Sequence, residues 1–238
     1  MGLFLQIYQI FSMLKLYYNP ISPNARRVWL TLLEKEISFE PVIMKLDGDQ
    51  LEPEFLSINP FHYIPVVVDD GLRLVESLAI MDYLESKYPQ PAMLPTEPQA
   101  LVKVRMVQNL TANELFPKLV TLIYESEDSP QIAQAKQHID KVLGFFTELL
   151  GDSPYFGSEQ LTLGDIVAGI AITSLPNLGV NLNNYPQIDA WFQRLMERPV
   201  WQKTALSPED FELFKRRVRV FVKMRSRNLN RGNKADDK

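Results

Sequence analysis

The chain has 238 residues, 46% of them hydrophobic and 23% charged, a formal net charge of −4, no cysteine and two histidines. That is the composition of a soluble globular protein with ample core, in one large or two small domains. It excludes disulfides, thiolate metal sites and catalysis by a protein thiol, and it leaves too few histidines for a histidine-rich metal centre.

Met1 to Ser12 is apolar but has no basic n-region and no small-residue cleavage site, and it is too short to span a bilayer. It reads as an extension before the fold, with Met13 where a natural start belongs. Leu14 to Tyr18 is a short strand that Asn19-Pro20 breaks. Ser22-Pro23 opens a helix, since Ser caps well and Pro suits the first turn. Val28, Trp29, Leu32 and Leu33 give that helix an apolar stripe. Phe39 to Met44 is a second strand, and Asp47 to Ser57 is polar and irregular with one helical turn at Pro53 to Leu56.

Asn59 to Tyr88 is the best-marked stretch. Ile64 to Val68, with three consecutive valines, reads as a buried strand. Asp70-Gly71 signals a hairpin turn, because Gly tolerates positive φ. Leu72 to Val75 is the return strand. Ser77 is positioned to cap the next helix, whose apolar side is Leu78, Ile80, Met81 and Leu84. A βαβ unit followed by a hairpin and a helix predicts a thioredoxin-like domain with a mixed sheet.

Four prolines between Pro89 and Pro98 mark a linker. Everything after it reads as helix. Ile132, Ala135, Ile139, Val142, Phe146 and Leu149 form one continuous stripe, ended by Gly151. Thr162 to Asp165 is a capping box, flanked by a Leu161/Ile166 hydrophobic staple, at the start of a helix that is apolar nearly all round. Asp165 is therefore assigned a structural role. Ile188, Trp191, Phe192, Leu195 and Met196 repeat the helical pattern until Arg198-Pro199 stops it, and Phe211, Phe214, Val218 and Phe221 mark a last amphipathic helix. That helix runs into a basic tail. Ten of the 25 Lys/Arg but two of the 29 Asp/Glu lie in 215–238, leaving the rest of the chain at 15 basic against 27 acidic. Such a tail suits nucleic acid, anionic lipid or the acidic body itself, or is a solvated helix end that frays. The expected layout is α+β: a thioredoxin-like domain over 13–88, a linker at 89–98, an all-helical domain over 99–226, and extensions at 1–12 and 227–238.

Two features of the N-terminal half point to chemistry. An X-Pro bond adopts cis at modest cost, and a cis Ile64-Pro65 would turn the backbone N–H and C=O of Ile64 outward as an edge for docking a peptide. Glu76-Ser77 stands at a helix start, where free N–H groups and the dipole favour carboxylates.

The order and spacing of N-P-F-x-x-I-P, Glu76-Ser77 and the Thr162 capping box resemble the cytosolic glutathione transferase family over about Leu14 to Ala205. The segment Ser22-Pro23-Asn24-Ala25-Arg26-Arg27-Val28 resembles its serine-type members from plants and bacteria. The resemblance implies a cytoplasmic homodimer that conjugates glutathione, its co-substrate, to small apolar electrophiles in detoxification, with no nucleic-acid or membrane partner. It implies Ser22 as the group that activates the thiol, with Tyr18 as the competitor from tyrosine-type members. Ile64, Pro65, Glu76 and Ser77 would hold the peptide. Asn24 would support Ser22, and Arg26 or Arg27 would act electrostatically, one of the two being solvated on the helix surface. Relatives place Gly with Gln or Lys in the segment here occupied by Phe61 to Ile64, and some plant relatives have His and Lys where Gln50 and Leu51 stand. Tyr63 and His62 can each donate a hydrogen bond to the glycine end, with Gln50 in the preceding loop, but neither of the two has the reach and charge of Lys, so that end is held weakly. Asn109, Asn113, Phe116 and Leu119 are candidates for the electrophile pocket. The rival reading keeps the fold and binds ligands or partners without turnover.

Overall fold

The computed structural model describes residues 13–232, with side chains as far as Met224. The segments 1–12 and 233–238, and the expectations made for them, lie outside the described residues.

The N-terminal half runs β1 (Lys15–Tyr18), α1 (Pro23–Glu34), β2 (Glu40–Ile43), α2 (Pro53–Ile58), β3 (Val66–Asp69), β4 (Leu72–Leu74) and α3 (Ser77–Lys87). The sheet order is β2-β1-β3-β4, with β1 parallel to β2 and antiparallel to β3, and β4 closing the hairpin. This is the mixed sheet of a thioredoxin-like domain. The strands differ as their places require. Leu16, Val66 and Val67 on the two inner strands are fully buried, while β2 and β4 are edges, where Pro41 and Arg73 are tolerated. Asp70 and Gly71 both take positive φ, as the tight turn demands. One local expectation fails. Ser77 does not cap α3. The cap position is Glu76, whose φ of 67° turns the chain so that Ser77 is already the first helical residue.

The C-terminal half is helical: α4 (Pro98–Leu110), a π-helical turn (Thr111–Leu115), α5 (Phe116–Tyr124), α6 (Pro130–Leu150), α7 (Leu163–Ile172), α8 (Pro186–Met196), α9 (Pro199–Lys203) and α10 (Pro208–Gly232). Helix α4 opens at Pro98, where the Glu97 carboxylate accepts from the backbone N–H groups of Gln99 and Ala100 at 3.0 and 2.7 Å. The π turn has a local cause. Pro117 cannot donate to the preceding turn, and the N–H of Phe116 reaches back to Thr111 O instead. Helix α10 continues to Gly232, past the boundary expected at 226.

Helix α7 is the axis of this half, and each of its ten residues is buried. Its capping box is complete. The Thr162 N–H donates to Asp165 Oδ2 at 2.7 Å, and the Asp165 N–H reaches Thr162 Oγ1 at 3.4 Å. Asp165 Oδ1 also accepts from the Phe156 backbone at 3.0 Å and from the Trp191 indole at 2.8 Å, so one carboxylate ties α7 to α8 and to the loop before it. Gly169 is needed for packing, because a Cβ there would overlap the Trp201 ring.

Candidate functional site

The first turn of α1 is placed by Asn19. Its buried side chain donates to Met44 O at 2.6 Å and accepts from the Ile21 N–H at 3.1 Å, pinning the β1–α1 loop to the end of β2. Ser22 follows as the N-cap of α1, half-buried, with Oγ accepting from the Ala25 N–H at 3.4 Å. A hydroxyl that caps as an acceptor keeps its own proton to donate elsewhere.

On one side of this turn lies a narrow polar cleft of about 100 Å³, lined by Asn24, Tyr63, Ile64, Pro65, Glu76 and Ser77 among others. Buried Asn59 shapes its near wall. Its amide donates to Tyr63 O at 2.8 Å and accepts from the Phe61 N–H at 3.0 Å, which holds the 59–63 turn in place. The Ile64-Pro65 peptide is cis. Among the described residues no group hydrogen-bonds the backbone N–H or C=O of Ile64. Across the cleft, the strained φ of Glu76 presents the open N-terminus of α3.

On the other side lies a mostly apolar pocket of about 550 Å³, bounded by Ser22 and Pro23, by Leu46, by Phe116 and Val120 of α5, and by Phe214, Arg217 and Phe221 of α10. Ser22, Pro23 and Asn24 are consecutive, so the α1 turn is the partition between cleft and pocket.

The sequence-derived candidates fall unevenly on this geometry. Ser22, Tyr63, Ile64, Pro65, Glu76 and Ser77 all line one cavity or the other. Gln50 lines neither; its side chain accepts from the Gly48 N–H at 3.2 Å within its own turn. Tyr18 is 6% exposed and packs against Trp29 with ring centroids 5.3 Å apart, and burial raises its hydroxyl pKa. Of the four pocket candidates only Phe116 lines the pocket: Leu119 is buried in the core, and Asn109 and Asn113 are exposed and line neither cavity. The walls from α10 and the β2 loop had no local signal. Neither Arg26 nor Arg27 is solvated, contrary to expectation: each is 4% exposed, because α3, α7 and α9 all pack on α1. Desolvation pushes both guanidinium groups down to about 10. Arg27 Nη1 stands 3.5 Å from Ser77 Oγ, and its guanidinium sits 6.0 Å from the centre of the Phe116 ring.

Residues 16–92 match the model of the glutathione S-transferase N-terminal domain, and residues 95–199 match that of the C-terminal domain. Glutathione S-transferase 3 of Zea mays is 31% identical over 207 residues, covering 80% of this chain and 92% of its own length. The chain belongs to the glutathione S-transferase family. Glutathione S-transferase D7 of Drosophila melanogaster is 29% identical over 210 residues, 84% of this chain and 92% of its own. A solved delta-class glutathione transferase of Nilaparvata lugens superposes with a TM-score of 0.74 at 25% identity, covering 87% of this chain and 99% of its own. As a family member the protein is a transferase with glutathione as co-substrate. The N-terminal match spans every cleft residue of this transferase, whereas the α10 wall of the apolar pocket lies beyond residue 199.

Proposed function

We propose that this glutathione S-transferase is of the serine type, with Ser22 donating a hydrogen bond to the glutathione sulfur and the resulting thiolate attacking a small apolar electrophile. The observation that carries this reading is the position of Ser22 on the partition between the polar cleft and the apolar pocket. A free thiol has a pKa of about 8.5 and is largely protonated at neutral pH. The Ser22 proton, left free by the acceptor role of Oγ, and the positive end of α1 both favour the ionised sulfur. The thiol proton leaves to solvent. The sulfur lone pair forms the new C–S bond, and the leaving group departs with its electron pair. No covalent protein intermediate is required.

The peptide lies in the cleft. The unpaired Ile64 backbone takes the cysteinyl amide, and Glu76, Ser77 and the α3 N-terminus take the γ-glutamyl end, with Arg27 supplying positive charge beneath Ser77. Tyr63 serves the glycine end. The burial of Tyr18 against Trp29 supports Ser22 over the tyrosine. We further propose a cytoplasmic homodimer acting in detoxification; exposed Phe61 and Val102 offer apolar surface for a second copy, and light scattering tests this. The non-catalytic reading is not favoured, since the curated relatives are named transferases.

The test is the ultraviolet thiolate signal of the enzyme–glutathione complex at neutral pH. It should be present in the wild type and in Tyr18→Phe and absent in Ser22→Ala. A signal retained in Ser22→Ala and lost in Tyr18→Phe reverses the assignment.

A further inference from the structure

Charge changes sign along α10. Its first turns carry Glu209, Asp210 and Glu212, whereas 215–232 holds eight Lys/Arg and no Asp/Glu. At 1.5 Å per residue the basic stretch is about 27 Å, or about five turns, of helix. The helix dipole favours cations in the last turn and does not account for so long a run. Three of the cations have protein partners. Lys215 pairs with Glu212, Arg217 donates to Lys45 O, and Arg219 donates to Ile123 O. Arg216 and Lys223 are exposed and make no hydrogen bond or ion pair among the described residues.

A helix end that is merely solvated carries polar groups on its outer side. Here Val220, Phe221 and Met224 are 57%, 51% and 56% exposed. Val220 lies four residues after Arg216, three before Lys223 and four before Met224, so these four share one face of the helix. The row continues at position 227, again an arginine. The other side of α10 is occupied: Phe211, Phe214 and Val218 pack with Ile21 and Ile123. The outer face therefore interleaves free cations with apolar side chains that the body does not cover.

That combination matches an anionic bilayer. Acidic headgroups take the cations, and the acyl boundary takes the apolar side chains. A nucleic acid would neutralise Arg216 and Lys223 but leave Val220 and Met224 in water. No helix among the described residues is long and apolar enough to cross a membrane, so the contact is peripheral. The rest of the chain, at 15 basic against 27 acidic residues, is repelled by the same surface, which confines contact to α10. Phe221 also lines the apolar pocket, so the exposed patch runs up to the pocket rim.

We propose that the outer face of α10 docks on anionic lipid bilayers, with Arg216 and Lys223 at the headgroups and Val220 and Met224 at the acyl boundary. The docking takes part in no bond-making step and does not depend on which residue activates the thiol.

The test is co-sedimentation of the full-length protein with vesicles of phosphatidylcholine, alone or with about 30% phosphatidylserine. Partition onto the phosphatidylserine vesicles should be at least ~10-fold stronger than onto neutral ones and should fall at about 0.5 M salt. Arg216→Glu combined with Lys223→Glu should weaken it at least ~10-fold. Val220→Ser combined with Met224→Ser should weaken it roughly fivefold at unchanged charge. None of the four residues lines the cleft or the apolar pocket, so conjugation in solution should stay at the wild-type rate in both variants and reports that they fold. Equal partition onto neutral and anionic vesicles, no partition onto either, or full retention in either double variant would overturn the proposal. Tighter binding to a DNA duplex than to the phosphatidylserine vesicles would overturn it in favour of a nucleic-acid face.

Discussion

The Trp191 indole donates to Asp165 Oδ1 across 2.8 Å and 26 residues of sequence, so the cap of α7 is also the anchor of α8. The same carboxylate accepts from the backbone of Phe156 and Thr162 and is completely buried. Asp165→Ala strands three buried N–H donors at once. At roughly 1 kcal/mol or more for each, the loss in unfolding free energy should be about 2–4 kcal/mol, more than a surface cap contributes. Urea unfolding measures it. Turnover per folded molecule should be unchanged, and lost turnover at an unaltered unfolding midpoint would contradict the structural role.

Burial pushes the Asp165 carboxyl from 3.8 to about 6, against its hydrogen-bond donors. The folded state therefore holds a proton that the unfolded chain releases. The stabilisation from this proton is complete below the unfolded value and is lost as pH rises through about 6. The gap in stability between wild type and Asp165→Ala should then be larger at pH 5 than at pH 7.5, by roughly 1 kcal/mol. Parallel pH profiles for the two proteins would mean that the carboxylate stays ionised and the donors prevail.

Arg198 grips Glu34 with two bonds, Nε to Oε1 at 2.9 Å and Nη2 to Oε2 at 2.6 Å, joining the end of α1 to the α8–α9 junction. The Glu34 side chain is 5% exposed while that of Arg198 is one-third exposed. Arg198→Ala leaves a buried carboxylate without its cation and should cost about 2–3 kcal/mol. The double variant with Glu34→Gln should recover part of that loss. A strictly additive cycle would show that the pair contributes no coupling.

Ser22→Ala should lower kcat/KM for conjugation by ~100-fold or more, as for removal of one preorganised donor at a developing charge, while the dissociation constant for glutathione moves little. Tyr18→Phe should leave kcat/KM near wild type. A Ser22→Ala enzyme of near-full activity would end the serine-type reading.

Helix α10 is fastened by Arg217, which donates to Lys45 O at 2.7 Å, and by Arg219, which donates to Ile123 O at 3.0 Å. Truncation after Ser226 keeps both anchors and the whole pocket wall, so kinetics should be unchanged. Phe221→Ala, on the exposed rim of the wall, should raise KM for an apolar electrophile several-fold, on the order of the ~1 kcal/mol that a half-exposed ring contributes when a ligand covers it, with KM for glutathione unaffected. If the truncation itself shifts the electrophile KM, the last turns of α10 act as a lid.

What the sequence by itself determined was set by neighbours in the chain. The Asp70-Gly71 hairpin, the Thr162–Asp165 box, the Ser22 cap and the stop at Gly151 each satisfy backbone groups within a few residues, so residue type and spacing are enough to read them. Most of the cleft was legible for the same reason: Tyr63 to Pro65 and Glu76-Ser77 lie in two short, well-marked stretches. Tertiary structure decided the rest. Nothing local says that Arg26 and Arg27 are buried, because that depends on α3, α7 and α9 closing over α1 from distant parts of the chain. Gly169 reads as a weak point in a helix until Trp201 arrives against it. The apolar pocket is assembled from α1, the β2 loop, α5 and α10, so each wall is an ordinary half-buried surface in its own segment. Hydrogen-bond satisfaction acts over a few ångströms along one segment and leaves a local mark, whereas burial and cavity shape depend on which segments meet.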